Sequence, residues 1–598
     1  RLTEHSKQCF QKSGRASPGP LGSPEGVSLV QRTDAVLKGL LLLLEHYAVE
    51  EKIGVQLAEQ VHNYLDDSES ETMWLKRCKY IYTYPLAKFL KCELPPSPDK
   101  KFSLSGGIRG WMRSRLNAFN RPNVQFWYSW FQCKRSTLPL SEDIIEENYD
   151  KHLETLTKVD KGDEEIIKRI FRERTFLKVL WELRDSVESA YNSATSFEEW
   201  MPSNNSCFEA TRSVGGQQGE LASLCGLRRL KGSEDGPEVL PWESIYPLAG
   251  TDFFSIEYRP WVLTRDGTKN NFHQERRFQY GHDEWSELAN AALKIDLSKP
   301  LNCTIQAVLE PNKVRIISKG NALPYYSCRP IQRALHSSMR ELPPFRLIGR
   351  PFSPTDMVDL QRKANTQDQW FSVDYSAATD GLSWKYSGKI LKFLLSGLPR
   401  HVQETAYSVL GPHALHYPVR GGRKSIEFRG VQQNGQLMGS ILSFPILCLA
   451  NFGVYCLVMS KRQAWEDWTF EERMNHVLIN GDDMVFAAHP DMWPELVSIA
   501  GKIGLEMSVG KAYVHREYAN INSTSVLLPL HLEGRHRTPY QINYLNTGLF
   551  FGQHKVQGGT DLAKAHMKDD PSLGLVVNLN TILSGSRPGH ESELLRSF

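Results

Sequence analysis

Two places in the chain set carboxylates where they could do chemistry. The first is Val477-Leu478-Ile479-Asn480-Gly481-Asp482-Asp483-Met484-Val485-Phe486. Two apolar runs flank Asn-Gly, a strong short-range hairpin signal because both residues tolerate positive φ. Such a hairpin holds Asp482 and Asp483 side by side at its tip. Adjacent carboxylates repel each other and stay ionised easily only where a cation sits between them and a partner. Taken alone, the stretch reads equally well as a surface turn, since Asp and Gly are ordinary turn residues.

A second carboxylate pair lies upstream. Trp370-Phe371-Ser372-Val373 reads as a strand running into Asp374, then the loop Tyr375-Ser376-Ala377-Ala378-Thr379-Asp380, then a helix from about Trp384 to Leu395. A strand that ends in Asp presents its carboxylate at the sheet edge, so Asp374 and Asp482 are expected on adjacent strands. Carboxylates so placed can clamp two Mg²⁺ ions about 3.5–4 Å apart, the two-metal arrangement of polymerases. Mg²⁺ suits such a site because it takes few protein carboxylates and fills its shell with water and phosphate; Mn²⁺ is an expected substitute. Asp380 has two readings. Its carboxylate could accept a hydrogen bond from a ribose hydroxyl, or it could cap a helix beginning near Leu382.

Other stretches must position these groups. Gln432-Gln433-Asn434-Gly435-Gln436-Leu437-Met438-Gly439-Ser440 has two glycines four apart, which permits close backbone approach. Ile441 to Asn451 then reads as a buried helix, with Ser440, Ser443 and Asn451 as polar groups that could reach a nucleotide. Residues 313–350 carry Lys313, Arg315, Lys319, Arg329, Arg333, Arg340, Arg346 and Arg350 against the single acid Glu341. Such an excess calls for a polyanion nearby; the alternative is a solvated basic face. Val308-Leu309 and Val314 to Lys319 read as short strands around Pro311-Asn312, with Arg315 and Ile317 on one face. Gly504-Leu505-Glu506-Met507-Ser508-Val509-Gly510-Lys511 fails the P-loop pattern, since five residues separate its glycines and Ala512 follows the lysine. Lys511 reads either as a proton donor or as a surface lysine beside a turn.

The chain has 598 residues, too many for one core, so two to four subdomains are expected. Its 40% hydrophobic and 23% charged content is that of an ordinary globular protein, and a net charge of +3 confines any nucleic-acid surface to a local patch. Ten cysteines without a Cys-x-x-Cys pair argue against a zinc site or a disulfide framework and suit a reducing cytosol. Leu40 to Leu44 is too short an apolar run to span a bilayer. Residue 1 is Arg, so a natural start is expected upstream. Residues 1–28 read as disordered and 29–98 as amphipathic helix. Residues 105–135 interleave Arg109, Arg113, Arg115, Arg121, Lys134 and Arg135 with seven aromatics and no acid. That suits single-stranded nucleic acid, or, more simply, a buried aromatic core with a basic rim. Residues 142–200 read as charged helix, and 204–236, around Gly215-Gly216, as loop.

The ordered set DYSAATD (374–380), NGQLMGS (434–440), NGDD (480–483) and GLEMSVGK (504–511) resembles the palm motifs of viral RNA-dependent RNA polymerases. SCFEATRSVGGQQGE (206–220), GQLMGSILSFPILCLAN (435–451) and LSGSRPGHESELLRSF (583–598) resemble those of the ourmia-like viruses (botourmiaviruses), near narnaviruses and RNA phages. The resemblance covers roughly residues 200–598. It implies an α+β right-hand polymerase. The 1–28 segment would be followed by a 29–200 extension belonging to the fingers. Fingers over 201–360, a palm over 361–525 built on an antiparallel sheet, and a truncated helical thumb over 526–598 complete the reading. The resemblance implies metal binding by Asp374 and Asp482 with Asp483 in support, and triphosphate binding by Lys313, Arg315 and Lys319. It implies sugar sensing by Asp380, nucleotide contacts from Gly435, Ser440 and Asn451, and proton donation by Lys511. Many such polymerases place their sugar-reading Asn a few residues after the glycine loop; here Asn451 is eleven past Ser440. Template and product RNA, NTPs and the host cytoplasm follow as expected partners and place. The rival readings are a reverse transcriptase, disfavoured by Asp380 where that enzyme has an aromatic gate, and a non-catalytic RNA-binding scaffold, which leaves the clustered carboxylates unexplained.

Overall fold

The structure is a computed structural model. It describes residues 28–596 apart from 101, 103–105, 139, 193–201, 204, 213–214, 225–290, 421–424, 531–537, 552–578 and 588. The expected disorder of 1–28 therefore lies, but for Ser28, outside the described residues.

The strands are β1 (Leu301–Glu310), β2 (Lys313–Gly320), β3 (Gln369–Val373), β4 (Tyr375–Ser376), β5 (His413–Pro418), β6 (Ile426–Val431), β7 (Val477–Asn480) and β8 (Asp483–Ala488). Then follow β9 (Glu506–Met507), β10 (Tyr513–His515), β11 (Tyr518–Ile521), β12 (Thr524–Leu527) and β13 (Tyr540–Ile542). One sheet runs β10-β3-β8-β7 and is antiparallel throughout. A second runs β2-β1-β5-β6, with β1 and β5 parallel and the other pairs antiparallel. β4 pairs only with β9.

Several hydrophobic clusters hold these sheets, one of them joining Trp370, Leu478, Val485 and Ala487 to β11 and β12. The largest surrounds helix Ser443–Met459, in which every residue but Phe444 is buried. A helix apolar on all sides needs such a setting. It packs against the faces of β3, β7 and β8 and against helices Arg174–Asn192, Arg329–Glu341 and Trp384–Leu394. A second cluster gathers Tyr149 and Leu156 from helix Glu142–Thr157 with β1, β5 and Leu437.

The other large cluster joins helices Leu29–His46, Glu51–Asp66, Glu71–Phe89 and Arg121–Gln132 to residues from the far end of the chain, Leu545, Ile582 and Leu594. The first of these helices starts with a reciprocal cap between Ser28 and Gln31. The basic-aromatic stretch is here the aromatic core of the plainer reading. Phe126, Trp127 and Trp130 are fully buried, and the cations sit on rings: Arg115 over Trp111 and Phe126, Lys134 over Phe131, Arg121 over Tyr540. Two expectations need amendment. A helix, Gly216–Leu224, occupies part of the stretch read as loop. The boundary at 525/526 also falls inside β12, whose neighbours β11 and β13 lie on either side of it, so the sheet is one unit.

Trp130 donates its indole N–H to the Ile81 carbonyl at 2.9 Å from a site with no exposure. Trp130→Ala removes that ring and leaves a cavity, a change that costs about 3–5 kcal/mol. Chemical denaturation should show a loss of that size.

Candidate active site

β7 and β8 pair through Asn480 and Asp483, leaving Gly481-Asp482 as the turn. Asn480 stays in the strand and the positive φ, +69°, falls on Gly481, so the turn sits one residue later than the Asn-Gly signal suggests. Gly at the first central position is the choice for a type II′ hairpin. β3 runs antiparallel to β8 with Val373 opposite Met484. Asp374, the next residue, therefore falls beside Asp483, and Asp482 stands just beyond it in the turn.

The three carboxylates are half-buried, and the charges of their neighbours act on Asp482 and Asp483. Burial, then the charges of Asp482 and Asp374, push Asp483 up to about 8, partly offset by the Asn522 N–H and Lys511. Asp482 is raised by burial and then by Asp374, while Lys313 and Arg315 oppose the rise. Among the described residues no three His, Cys, Asp or Glu side chains are grouped tightly enough to enclose an ion by themselves.

One face of helix Ser443–Met459 holds the turn. The Phe444 ring lies 3.5 Å from where a Cβ on Gly481 would stand. One turn on, the Cys448 sulfur accepts the Gly481 N–H at 3.1 Å. Next, Asn451 Nδ2 donates to the carbonyls of Gly481 at 3.3 Å and Asp482 at 3.2 Å. Its Oδ1 accepts from the Tyr375 hydroxyl at 3.1 Å. Tyr375 follows Asp374, so Asn451 ties the two carboxylate-bearing segments together. On the opposite side Asn522, itself at φ +51°, donates its backbone N–H to Asp483, and its side-chain Oδ1 accepts from Asn480 Nδ2.

The glycine loop makes the close approaches its sequence allows. A Cβ on Gly435 would stand 2.1 Å from the Asp380 carbonyl, and one on Gly439, 2.1 Å from the Ser318 carbonyl. The loop thereby presses on both the Asp380 segment and β2, and Met438 O accepts the Ser318 N–H at 3.1 Å. Asp380 lies within the short helix Ala378–Gly381, and the next helix has Ser383 at its N-cap without a side-chain bond. The capping reading is thus excluded. Burial raises the Asp380 carboxyl to about 7, against the pull of Lys313.

The structure brings Lys313 and Arg315 within electrostatic reach of Asp482, and Arg315 also bonds Glu310 at 3.2 Å. Lys319 is six residues past Lys313 and four past Arg315 along β2, roughly 20 Å and 13 Å at strand rise, beside Cys207. Lys511 is exposed and its charge acts on Asp483 and Lys313. Its loop is anchored by the Ser508 N–H on the Asp374 carbonyl at 2.8 Å. The buried Ser440 and Ser443 hydroxyls are spent on the carbonyls of Val409 and Leu437, and Asn451 has no exposure. As placed, these three side chains brace the site. Further downstream cations find acids the 313–350 count omitted: Arg346 pairs with Asp359 and Arg350 with Asp356. Sequence reading missed Tyr375, Cys448 and Asn522. Spacing could have flagged Cys448, which shares a helix face with Phe444 and Asn451.

Asn451→Asp should be more damaging than Asn451→Ala. Alanine forfeits the bonds to two carbonyls, a loss of about 1–3 kcal/mol. Aspartate sets acceptor oxygens against both carbonyls as well. Thermal unfolding of the two variants should rank them so.

No family model matches the chain. Among curated proteins it is 31% identical over 426 residues to the RNA-dependent RNA polymerase of Ourmia melon virus, covering 67% of this chain and 45% of that protein. The chain thus spans less than half the length of that relative. Among solved structures, the insertion-loop deletion mutant of the RNA-dependent RNA polymerase of a human picorbirnavirus aligns over 82% of each chain with 11% identity and a TM-score of 0.41. The BmCPV RNA-dependent RNA polymerase at elongation state aligns over 87% of this chain and 45% of that one, with 10% identity and a TM-score of 0.49. These structural likenesses are too slight to build on. The sequence relative bears out the resemblance carried by the four motifs: the chain resembles the RNA-dependent RNA polymerases of the ourmia-like viruses.

Proposed function

We propose that this chain is the polymerising part of a viral RNA-directed RNA polymerase. It would add nucleoside monophosphates from NTPs to an RNA 3′-hydroxyl, directed by an RNA template, in the host cytoplasm. The observation that carries this reading is the meeting of Asp374, Asp482 and Asp483 at one end of an antiparallel sheet, faced by the cations of β2. The named activity of the Ourmia melon virus relative supports it.

Asp374 and Asp482 would hold divalent cations, with Asp483 in support. The fit lies in the donors: hard carboxylate oxygens whose repulsion a cation relieves. Too few side chains gather here to complete a shell, which suits Mg²⁺, an ion that retains water and takes up substrate phosphate. When bound, such ions lower the pKa of the attacking hydroxyl and stabilise charge on the leaving pyrophosphate. Lys313 and Arg315 would grip the triphosphate through charge-assisted bonds. Lys511 would protonate the pyrophosphate. Asp380 would receive the ribose 2′-hydroxyl. Residues 201–360 would serve as fingers and 361–525 as palm. The C-terminal residues would form the thumb, with β12 assigned whole to one side.

NTP and dNTP incorporation on an RNA template, with Mg²⁺ or Mn²⁺, tests the reading; a protein that incorporates neither, or prefers dNTP, refutes it. Asp374→Asn and Asp482→Asn should each lower the rate on the order of a thousandfold, equivalent to about 4 kcal/mol of barrier, with folding retained. Near-native synthesis by either would remove its assignment. Asp380→Ala should lower the NTP to dNTP ratio of kcat/KM, because a site built to bond a hydroxyl rejects the analogue lacking it. Lys511→Leu should slow single-turnover addition more than Lys511→Arg; a wild-type rate in Lys511→Leu would make it a surface lysine.

A further inference from the structure

The polymerase motifs all lie beyond residue 200, yet one amino-terminal helix reaches the proposed sugar site. Helix Glu142–Thr157 ends against the glycine loop. Its Leu156 carbonyl accepts the N–H groups of Gln433 at 2.8 Å and Asn434 at 3.1 Å. The Leu156 side chain is fully buried, 2.9 Å from where a Cβ on Gly435 would stand. Four and seven residues back on the same face are His152 and Tyr149. The Tyr149 hydroxyl accepts the Ala307 N–H of β1 at 2.8 Å. His152 is buried, with Nδ1 2.8 Å from the Tyr417 hydroxyl of β5 and Nε2 3.7 Å from Asp380 Oδ1.

These neighbours favour one tautomer, with the Tyr417 hydroxyl as donor. Burial lowers His152 to about 4 and raises the Tyr417 hydroxyl, so near neutrality the ring is uncharged and the hydroxyl keeps its proton. A hydroxyl donating to Nδ1 leaves the single ring N–H on Nε2, facing Asp380. At 3.7 Å that N–H orients the carboxyl electrostatically without a full hydrogen bond. Lys313 is the charged group acting on Asp380.

We propose that His152, fixed by Tyr417, is a positioning residue for sugar selection: it holds Oδ1 of Asp380 so that the other carboxyl oxygen is turned toward the ribose 2′-hydroxyl. This rests on the sugar-sensing reading of Asp380. The amino-terminal region then contributes to substrate choice as well as to packing.

The test is kcat/KM for one NTP and its 2′-deoxy counterpart on an RNA template, in wild type, Asp380→Ala, His152→Phe, His152→Gln and Tyr417→Phe. His152→Phe keeps a ring but has no N–H; the ratio should fall on the order of tenfold, as for loss of a group that orients a functional side chain. His152→Gln restores an N–H near the Nε2 position and should recover most of the ratio. Tyr417→Phe frees the tautomer and should lower the ratio less. A purely structural role predicts equal losses with both substrates, hence an unchanged ratio. If Asp380→Ala shifts the ratio while His152→Phe and Tyr417→Phe do not, the proposal is overturned and the reading of Asp380 stands. Should His152→Phe fail to fold, the Tyr417→Phe ratio decides in the same way. If Asp380→Ala itself leaves the ratio unchanged, the sugar-sensing reading falls and this proposal with it.

Discussion

Like charges confined in a half-buried space set the terms for the rest of this fold. Asp374 raises the proton affinity of Asp482, and both raise that of Asp483, on top of the larger effect of burial. Left to itself, a hairpin tip carrying such a pair would splay or protonate. The protein opposes that with fixed dipoles and contacts. The Asn522 N–H points at Asp483, the cations of β2 lie across from Asp482, and three residues of one helix hold the turn at both its N–H and its carbonyls. The buried helix Ser443–Met459 therefore does two jobs. Its apolar sides fill the largest core, and its Cys448 and Asn451 bond the turn.

The glycine loop extends the same logic sideways. Two glycines with no room for a side chain let one short segment touch both the Asp380 helix and β2. Those are the elements offering a carboxyl and cations to the same space. Because the contacts are backbone against side-chain-free backbone, their spacing is set by van der Waals radii and little else. The helix Glu142–Thr157 closes the loop from behind, so the relative placement of Asp380 and Lys313 depends on a region without polymerase motifs.

Local pattern determined a good deal. The turn of β7 and β8, the strand ending at Asp374, the hairpin of β1 and β2, the helix from Trp384 and the buried helix after the glycine loop all follow from periodicity and turn chemistry over ten or so residues. So did the candidate carboxylates, because Asp at a strand end or turn tip is legible without knowing its neighbours.

What only the tertiary structure decided is which segments meet. Register between β3 and β8 put Asp483, rather than Asp482, opposite Asp374. Asn451 turned from substrate toward the turn because helix and hairpin pack face to face. Lys319 parted from Lys313 and Arg315 because a strand is straight and carries it away. The aromatic and basic residues of 105–135 became core with cations on rings because the carboxy-terminal segment came back to cover them. His152 came to Asp380 from a distant part of the chain. Each of these is a long-range pairing whose strength comes from burial shared between distant segments, and a pattern read along the chain carries no record of its partner.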